Sequence, residues 1–269
     1  ECARFVITSV PLSVEVGGET FKDQAEISSE EFYDKMIASD TLPKSSQPSP
    51  SEFMDIYNAL ASEGADEIIA IHIAAVLSGT SESSNLAANQ VEVIDSFNAC
   101  SGQGLLALLA CEMRDAGASA QECAQAIKDA RAHTRFFIAC GTLDNLLAGG
   151  RLSAEEVDAA TLLDIKPMMS FDERGVLKAF DKAKGMNGVI KKYVEKLKEI
   201  TEDEGIQRVR FCHTRNEKGV EKLKRALEQA GIDYIDCGTC SCGATVSTHL
   251  GMGALGMGVI PDTLFPHKE

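Results

Sequence analysis

The sequence predicts an α/β fold of two α/β domains with mainly parallel sheets, on three observations. Short apolar runs alternate with amphipathic segments along most of the chain, the pattern of strands covered by helices on both faces. At 269 residues the chain is long enough for more than one core. Composition shifts near residues 160–185, so one domain is expected over 1–160 and a second over 161–269.

Strands are expected at Ala3–Thr8, Leu12–Val16, Glu67–Ile73, Val91–Asp95, Arg135–Cys140, Pro167–Phe171, Val176–Phe180, Arg208–His213, Ile232–Cys237 and Gly256–Ile260. Helices are expected at Ser29–Ala38, Pro50–Glu63, Thr80–Asn89, Gly102–Ala116, Ala120–His133, Leu143–Leu147, Ala154–Asp164, Asn187–Thr201 and Glu217–Ala230. Their starts are legible. Ser28/Glu31, Ser49/Glu52, Ser119/Glu122 and Ser153/Glu156 all fit the capping box, and Pro50 takes the first helical position, where its missing N–H costs nothing. The "DERG" between Phe171 and Val176 reads as a hairpin turn. One junction is awkward. "ARFVIT" runs into "VPLSVEV" with only Ser9 between, too little for a parallel crossover or a tight hairpin. A segment missing after Thr8 or Ser9 is the expectation this raises.

Charge narrows the function. Acids outnumber bases 41 to 26, a net charge of −15. Nucleic acid and anionic membranes are disfavoured partners, since no surplus of cations exists to neutralise phosphates. Basic residues around Lys178–Lys198 and Lys218–Arg225 read as solvated helix faces. No apolar run reaches the ~18 residues of a membrane span. The start "ECARFVIT" lacks signal-peptide anatomy. The nine cysteines, scattered in apolar contexts, read as reduced thiols of a cytoplasmic protein.

Five stretches could carry chemistry. "LPKSSQPSP" (Leu42–Pro50) leads serine hydroxyls into a capped helix start, either a donor-rich anion site or a rigid turn with a cap. In "IHIAAVLSGTSESS" an apolar strand ends and Ser78-Gly79-Thr80 opens a helix, either an anion site where α/β sheets bind ligands or only a helix cap. It contains no phosphate-loop motif, and its neighbours Ile73 to Leu77 are apolar, which suits a carboxylate on a hydrocarbon. "LLAGGRLS" offers Arg151 beside a glycine pair, as an anion partner or a helix-end ion pair. "STHLGMGALG" offers His249, as a donor, an acid/base or a structural histidine. Cys237-x-x-Cys240-x-Cys242 is half a zinc or redox motif; with no second CxxC these read as buried thiols, and no metal ligand is assigned.

Taken in order, "VPLSVEVGGETFKD", "ISSEEFYDKM", "LPKSSQPSPSEF", "IHIAAVLSGTSESS", "VIDSFNACSGQGLL", "TLDNLLAGGRLS", "IKPMMSFDERG" and "THLGMGALG" resemble the DegV family, whose fatty-acid-binding members include the FakB subunits of bacterial fatty acid kinase. The resemblance runs from about Val10 to the C-terminus. It implies a long-chain fatty acid in a tunnel between the domains and no cofactor. Its carboxylate would be held by Ser45, with Ser46 next in line, and by Ser78, with Gly79 and Thr80 supporting. His249 would lie near the carboxylate, and Arg151 would aid binding or docking. The partner it implies is a separate ATP-dependent fatty acid kinase that makes the acyl phosphate, with transient membrane contact for lipid exchange. An acyl hydrolase, or a carrier of another small acid, is the alternative.

The chain departs from the family in three places. The usual T-D-S-T-A-D-L after the first strand is not present. Lys44 and Ser45 stand where two threonines are common. Leu250 and Met252 replace the threonine and proline of H-T-G-P-G, making the wall by His249 more apolar. The chemistry suits such a ligand. About fifteen methylenes at ~0.8 kcal/mol each supply affinity, so the head group needs only a few neutral donors.

Overall fold

The computed structural model describes residues 5–148, 150 and 165–266. It is a mixed α/β structure of three sheets. The first combines β1 (Ser13–Val16), β2 (Glu19–Lys22) and β3 (Lys44–Ser46) in the order β2-β1-β3, all antiparallel. Helix α1 (Ser29–Ala38) lies between β2 and β3 in sequence. The second sheet is the parallel pair β4 (Ile68–His72) and β5 (Val91–Asp95), joined through α3 (Thr80–Ala87) and preceded by α2 (Pro50–Ser62).

The third and largest sheet has the order β10-β9-β11-β6-β7-β8. Its strands are β6 (Arg135–Ala139), β7 (Ile165–Phe171), β8 (Leu177–Lys184), β9 (Gln207–His213), β10 (Tyr234–Ser241) and β11 (Leu255–Pro261). Helices α4 (Cys100–Asp115) and α5 (Ala120–Ala130) precede β6, and the short α6 (Asp144–Ala148) follows it. Next come α7 (Gly185–Glu204), α8 (Glu217–Gln229) and α9 (Ala244–Leu250).

The sheets are not mainly parallel. Among the described residues, the β4–β5 and β9–β10 ladders are parallel and the other ladders run antiparallel. The cause is local. The "DERG" turn closes β7 onto β8, with Asp172 N–H donating to the Val176 carbonyl at 2.9 Å. The glycine pair Gly17-Gly18, both at positive φ, closes β1 onto β2. β11 returns antiparallel between β6 and β9. Because β6 belongs to this sheet, the large sheet reaches back to residue 135, across the boundary expected at residue 160.

Residues 5–8 form no strand. Phe5 is helical and Val6 sits at φ 53. The clash of two adjacent strands, which suggested a missing segment after Thr8 or Ser9, therefore disappears. The capping boxes at Ser28, Ser49 and Ser119 all close, each serine accepting from the N3 amide while the N3 glutamate accepts from the serine N–H. The box at Ser153, the helix Ala154–Asp164 and Arg151 lie outside the described residues.

Helices α7 and α8 cover one face of the large sheet, burying Tyr193, Leu197, Leu223 and Leu227 against Val209, Phe211 and Met257. Helix α4 packs on β11 at Gly258, where an added Cβ would come within 2.7 Å of the Ser101 backbone. A third cluster sets Val14, Val16, Phe32 and Tyr33 of β1 and α1 against Ala244 of α9. This last contact sets the site.

Candidate functional site

Three segments distant in sequence converge where the small sheet meets α9. In β3, Ser45 pairs with Val14 and Lys44 with Glu15. Side chains alternate along a strand, so Ser45 shares the inward face of buried Val14. Lys44 and Ser46 point the other way and are exposed.

The inward Ser45 Oγ lies 2.9 Å from His249 Nε2 on α9. Both residues are half-buried. Ser46 does not join it.

Helix α9 is only seven residues long, and its position is fixed from outside. The Asp23 carboxylate, in the turn after β2, accepts from Ala244 N–H and Thr245 N–H at 2.8 Å each. A carboxylate across two free N–H groups at a helix start is stabilising. Tyr33 of α1 donates its hydroxyl to the Cys242 carbonyl at 2.6 Å. Asn145 of α6 donates to the Thr248 carbonyl at 2.9 Å. Asp23, Tyr33 and Asn145 thus orient His249, and sequence reasoning missed all three. No window of sequence pairs Asp23 with residues some 220 positions on.

The second loop, Ser78-Gly79-Thr80, opens α3. Ser78 Oγ and Thr80 Oγ1 are 2.8 Å apart, so a single proton sits between two hydroxyls. Gln47, one residue past β3, links the two loops. Its side chain lies so close over Gly79 that a Cβ there would overlap it, and its amide donates to Ser83 Oγ at 2.9 Å. A side chain at Gly79 would displace the Gln47 amide from this position. The Ser45 and Ser78 loops are neighbours through Gln47, and Ser45 also meets His249. Among the described residues, the donors brought together here are hydroxyls, an amide and an imidazole.

Beneath the second loop, His72 at the end of β4 shares Ser84 with Tyr57. His72 Nε2 lies 2.7 Å and the Tyr57 hydroxyl 2.5 Å from Ser84 Oγ. His72 packs edge-on against Phe53 with ring centroids 5.2 Å apart. Burial pushes its pKa down to about 4.

His72 is neutral in the folded chain, and its folded pKa lies below the unfolded value near 6.5. Its contribution to stability is complete above pH ~6.5 and is lost as pH falls toward 4. At about 1.4 kcal/mol per pH unit, the loss reaches roughly 3 kcal/mol. Urea denaturation of wild type and His72→Gln between pH 7 and 4 should show the wild type losing more stability. Parallel curves would contradict this.

Apolar residues lie behind α9. Leu250 and Ala254 join Phe136, Ile138, Leu143, Leu146 and Met169 in one buried cluster, with Phe171 and Leu177 packed against it. The tip of the β7–β8 hairpin closes over the ends of β4 and β5. Gly175, at φ +74, leaves room there for Phe97 and Ala74, and a Cβ would meet the Phe97 Cα at 2.9 Å. Among the described residues, no helix is long and apolar enough to cross a membrane.

The family model described as "Uncharacterised protein, DegV family" matches residues 1–262. A DegV domain-containing protein of Caldanaerobacter subterraneus subsp. tengcongensis is 31% identical over 253 residues, 92% of this chain and 89% of that one. The solved structure described as "Fatty Acid Binding of a DegV family Protein from Thermus thermophilus" superposes with a TM-score of 0.89 at 27% identity, covering 97% of this chain and 94% of that one. The Streptococcus pneumoniae fatty acid kinase B3 protein, solved loaded with linoleic acid, gives a TM-score of 0.82 at 26% identity over 95% and 91% of the two chains. With a family match over nearly its whole length and a fold shared with that family's solved members, this chain belongs to the DegV family.

Proposed function

We propose that this protein binds a long-chain fatty acid between its two halves and presents the carboxylate to a separate ATP-dependent kinase, which forms the acyl phosphate. The observation that carries the reading is the meeting of Ser45 and His249 at 2.9 Å, with the Ser78 loop alongside and an apolar cluster behind α9. Neutral hydroxyls and an imidazole can hold a carboxylate by hydrogen bonds alone. The tail supplies most of the affinity, because each buried methylene contributes roughly 0.8 kcal/mol. In this reading Ser45, Ser78 and His249 bind the carboxylate, with Gly79 and Thr80 shaping the second loop. Ser46 faces away and has no part. Arg151 keeps the role implied by the family resemblance, as an aid to the carboxylate or to the kinase.

No cofactor is assigned to this chain, because the nucleotide belongs to the kinase. A weak carboxylate grip has a chemical logic. A guanidinium clamp on both oxygens would compete with phosphorylation of one of them. The half-burial of Ser45 and His249 leaves the carboxylate within reach of such a partner.

The alternative is an acyl hydrolase with Ser45 as nucleophile and His249 as base, favoured by the same short contact. Native mass spectrometry of the protein purified from cells separates the two. One co-purifying fatty acid per chain, released by denaturation, is the expected result. An empty site that refuses added oleate, or turnover of an acyl ester without a partner, would overturn the proposal.

A further inference from the structure

Away from the carboxylate site, four cysteines from three parts of the chain gather at one point. Cys100 begins α4, Cys212 is the sixth residue of β9, Cys240 lies beside it on β10, and Cys242 follows β10. The sulfurs of Cys100, Cys212 and Cys242 all lie within 4.8 Å of one another, and those of Cys100 and Cys242 are 3.8 Å apart. All are free thiols. Cys212 and Cys242 are fully buried, whereas Cys100 and Cys240 are partly exposed and give a way in.

Each position is held independently. Cys212 sits in the register of the large sheet, and its sulfur occupies the space left by Gly256, where a Cβ would come within 2.9 Å. Cys242 donates its N–H to the His213 carbonyl at 2.8 Å, and its own carbonyl accepts from Tyr33 and Ser247. Cys100 takes φ 48, an uncommon backbone for a residue with a side chain, and so turns into the cluster. Cys240 is the parallel neighbour of Cys212 and is in contact with Cys100, while its thiol donates to the Phe211 carbonyl at 3.6 Å.

We infer that Cys100, Cys212 and Cys242 form a binding site for a thiophilic d10 metal ion, Zn2+ in particular. Size argues for it. With metal–sulfur bonds near 2.3 Å, ligand sulfurs stand about 3.8–4.0 Å apart. The observed triangle needs only sub-ångström adjustment to close on an ion. A disulfide would require Cys100 and Cys242 to approach to about 2.05 Å. Ligand type also argues for it, because an all-thiolate set in an apolar pocket selects soft ions over Mg2+ or Ca2+. Binding releases the thiol protons to solvent, and the ion's charge offsets thiolates that would otherwise be costly to bury. The inference does not depend on the fatty-acid reading.

The test uses tag-free, full-length protein, reduced and handled without oxygen. After incubation with Zn2+ and desalting, elemental analysis should find one zinc per chain. Alkylation mapped by mass spectrometry should show Cys100, the partly exposed member of the three, modified in the zinc-free protein and protected when zinc is present. Cd2+ should give an ultraviolet thiolate charge-transfer band. Cys212→Ser and Cys242→Ser should lose the metal, while Cys123→Ala, outside the cluster, should retain it. Because a core variant can unfold, the protection map of the wild type stands as the second measurement. No retained metal, zinc held equally by Cys212→Ser, or a Cys100–Cys242 disulfide in place of bound metal would each overturn the inference.

Discussion

Ser45→Ala is expected to weaken oleate binding by about 10- to 100-fold, and Ser78→Ala by a similar factor. A hydrogen bond to a charged acceptor contributes about 1.5–3 kcal/mol, and each 1.4 kcal/mol is tenfold in affinity. The two changes should be unequal in what else they disturb. Ser45 Oγ meets His249 at 2.9 Å, so its loss also frees the imidazole. Ser78 Oγ meets Thr80 Oγ1, which can keep a donor in the second loop. The double variant should therefore lose more than either single one. Titration calorimetry with oleate, beside a circular dichroism check of folding, gives the measurement. Wild-type affinity in the double variant would remove Ser45 and Ser78 from the site. Ser46→Ala serves as the internal control, because that side chain is exposed on the opposite face of β3, and it should bind like wild type.

Arg208→Ala is expected to cost about 3 kcal/mol of folding stability, the largest effect of any charge removal here. The Arg208 side chain retains 14% exposure and joins three elements. Its Nη1 donates to both Glu112 oxygens of α4 at 2.8 and 2.9 Å. Its Nε donates to Asp262, just after β11, at 2.6 Å. The guanidinium also lies 3.6 Å over the Phe265 ring. Removing it leaves two mostly buried carboxylates facing each other without a cation. Arg208→Lys keeps the charge but loses the planar fork, and should fall between. Lys191→Ala breaks an exposed ion pair with Glu195 and should shift stability by no more than ~0.5 kcal/mol. Urea denaturation midpoints test the series. If Arg208→Ala matched Lys191→Ala, the network would be only surface decoration.

Helix starts and strand cores were legible because their signals are local. A serine with a glutamate three residues on satisfies its own N–H groups wherever it occurs, so α1, α2 and α5 begin where the sequence says. Val91–Asp95 is apolar and β-branched enough to be a strand in any context. Errors came where a segment's state depends on a distant partner. β3 reads as a serine loop because Lys44–Ser46 has no strand pattern; only β1, some thirty residues earlier, makes it a strand. The seven residues of α9 are too few to hold a helix alone and depend on Asp23 and Tyr33 from far upstream. Parallel and antiparallel strands look alike in isolation, which is why the direction of the large sheet was misjudged.

The sequence by itself determined the α/β class, the helix caps and the hydroxyl-rich loops, since each follows from composition and short-range hydrogen bonding. Only the tertiary structure decided which hydroxyl faces inward. Strand pairing put Ser45 beside Val14 and turned Ser46 to solvent, and the docking of α9 onto α1 brought His249 to Ser45 across 204 positions. It also gathered Cys100 and Cys212 with Cys242, a cluster that the spacing of Cys237, Cys240 and Cys242 alone could not reveal. The physical reason is the same in both cases. Side-chain direction and long-range proximity are properties of packed elements, and no window of sequence contains both members of the pair.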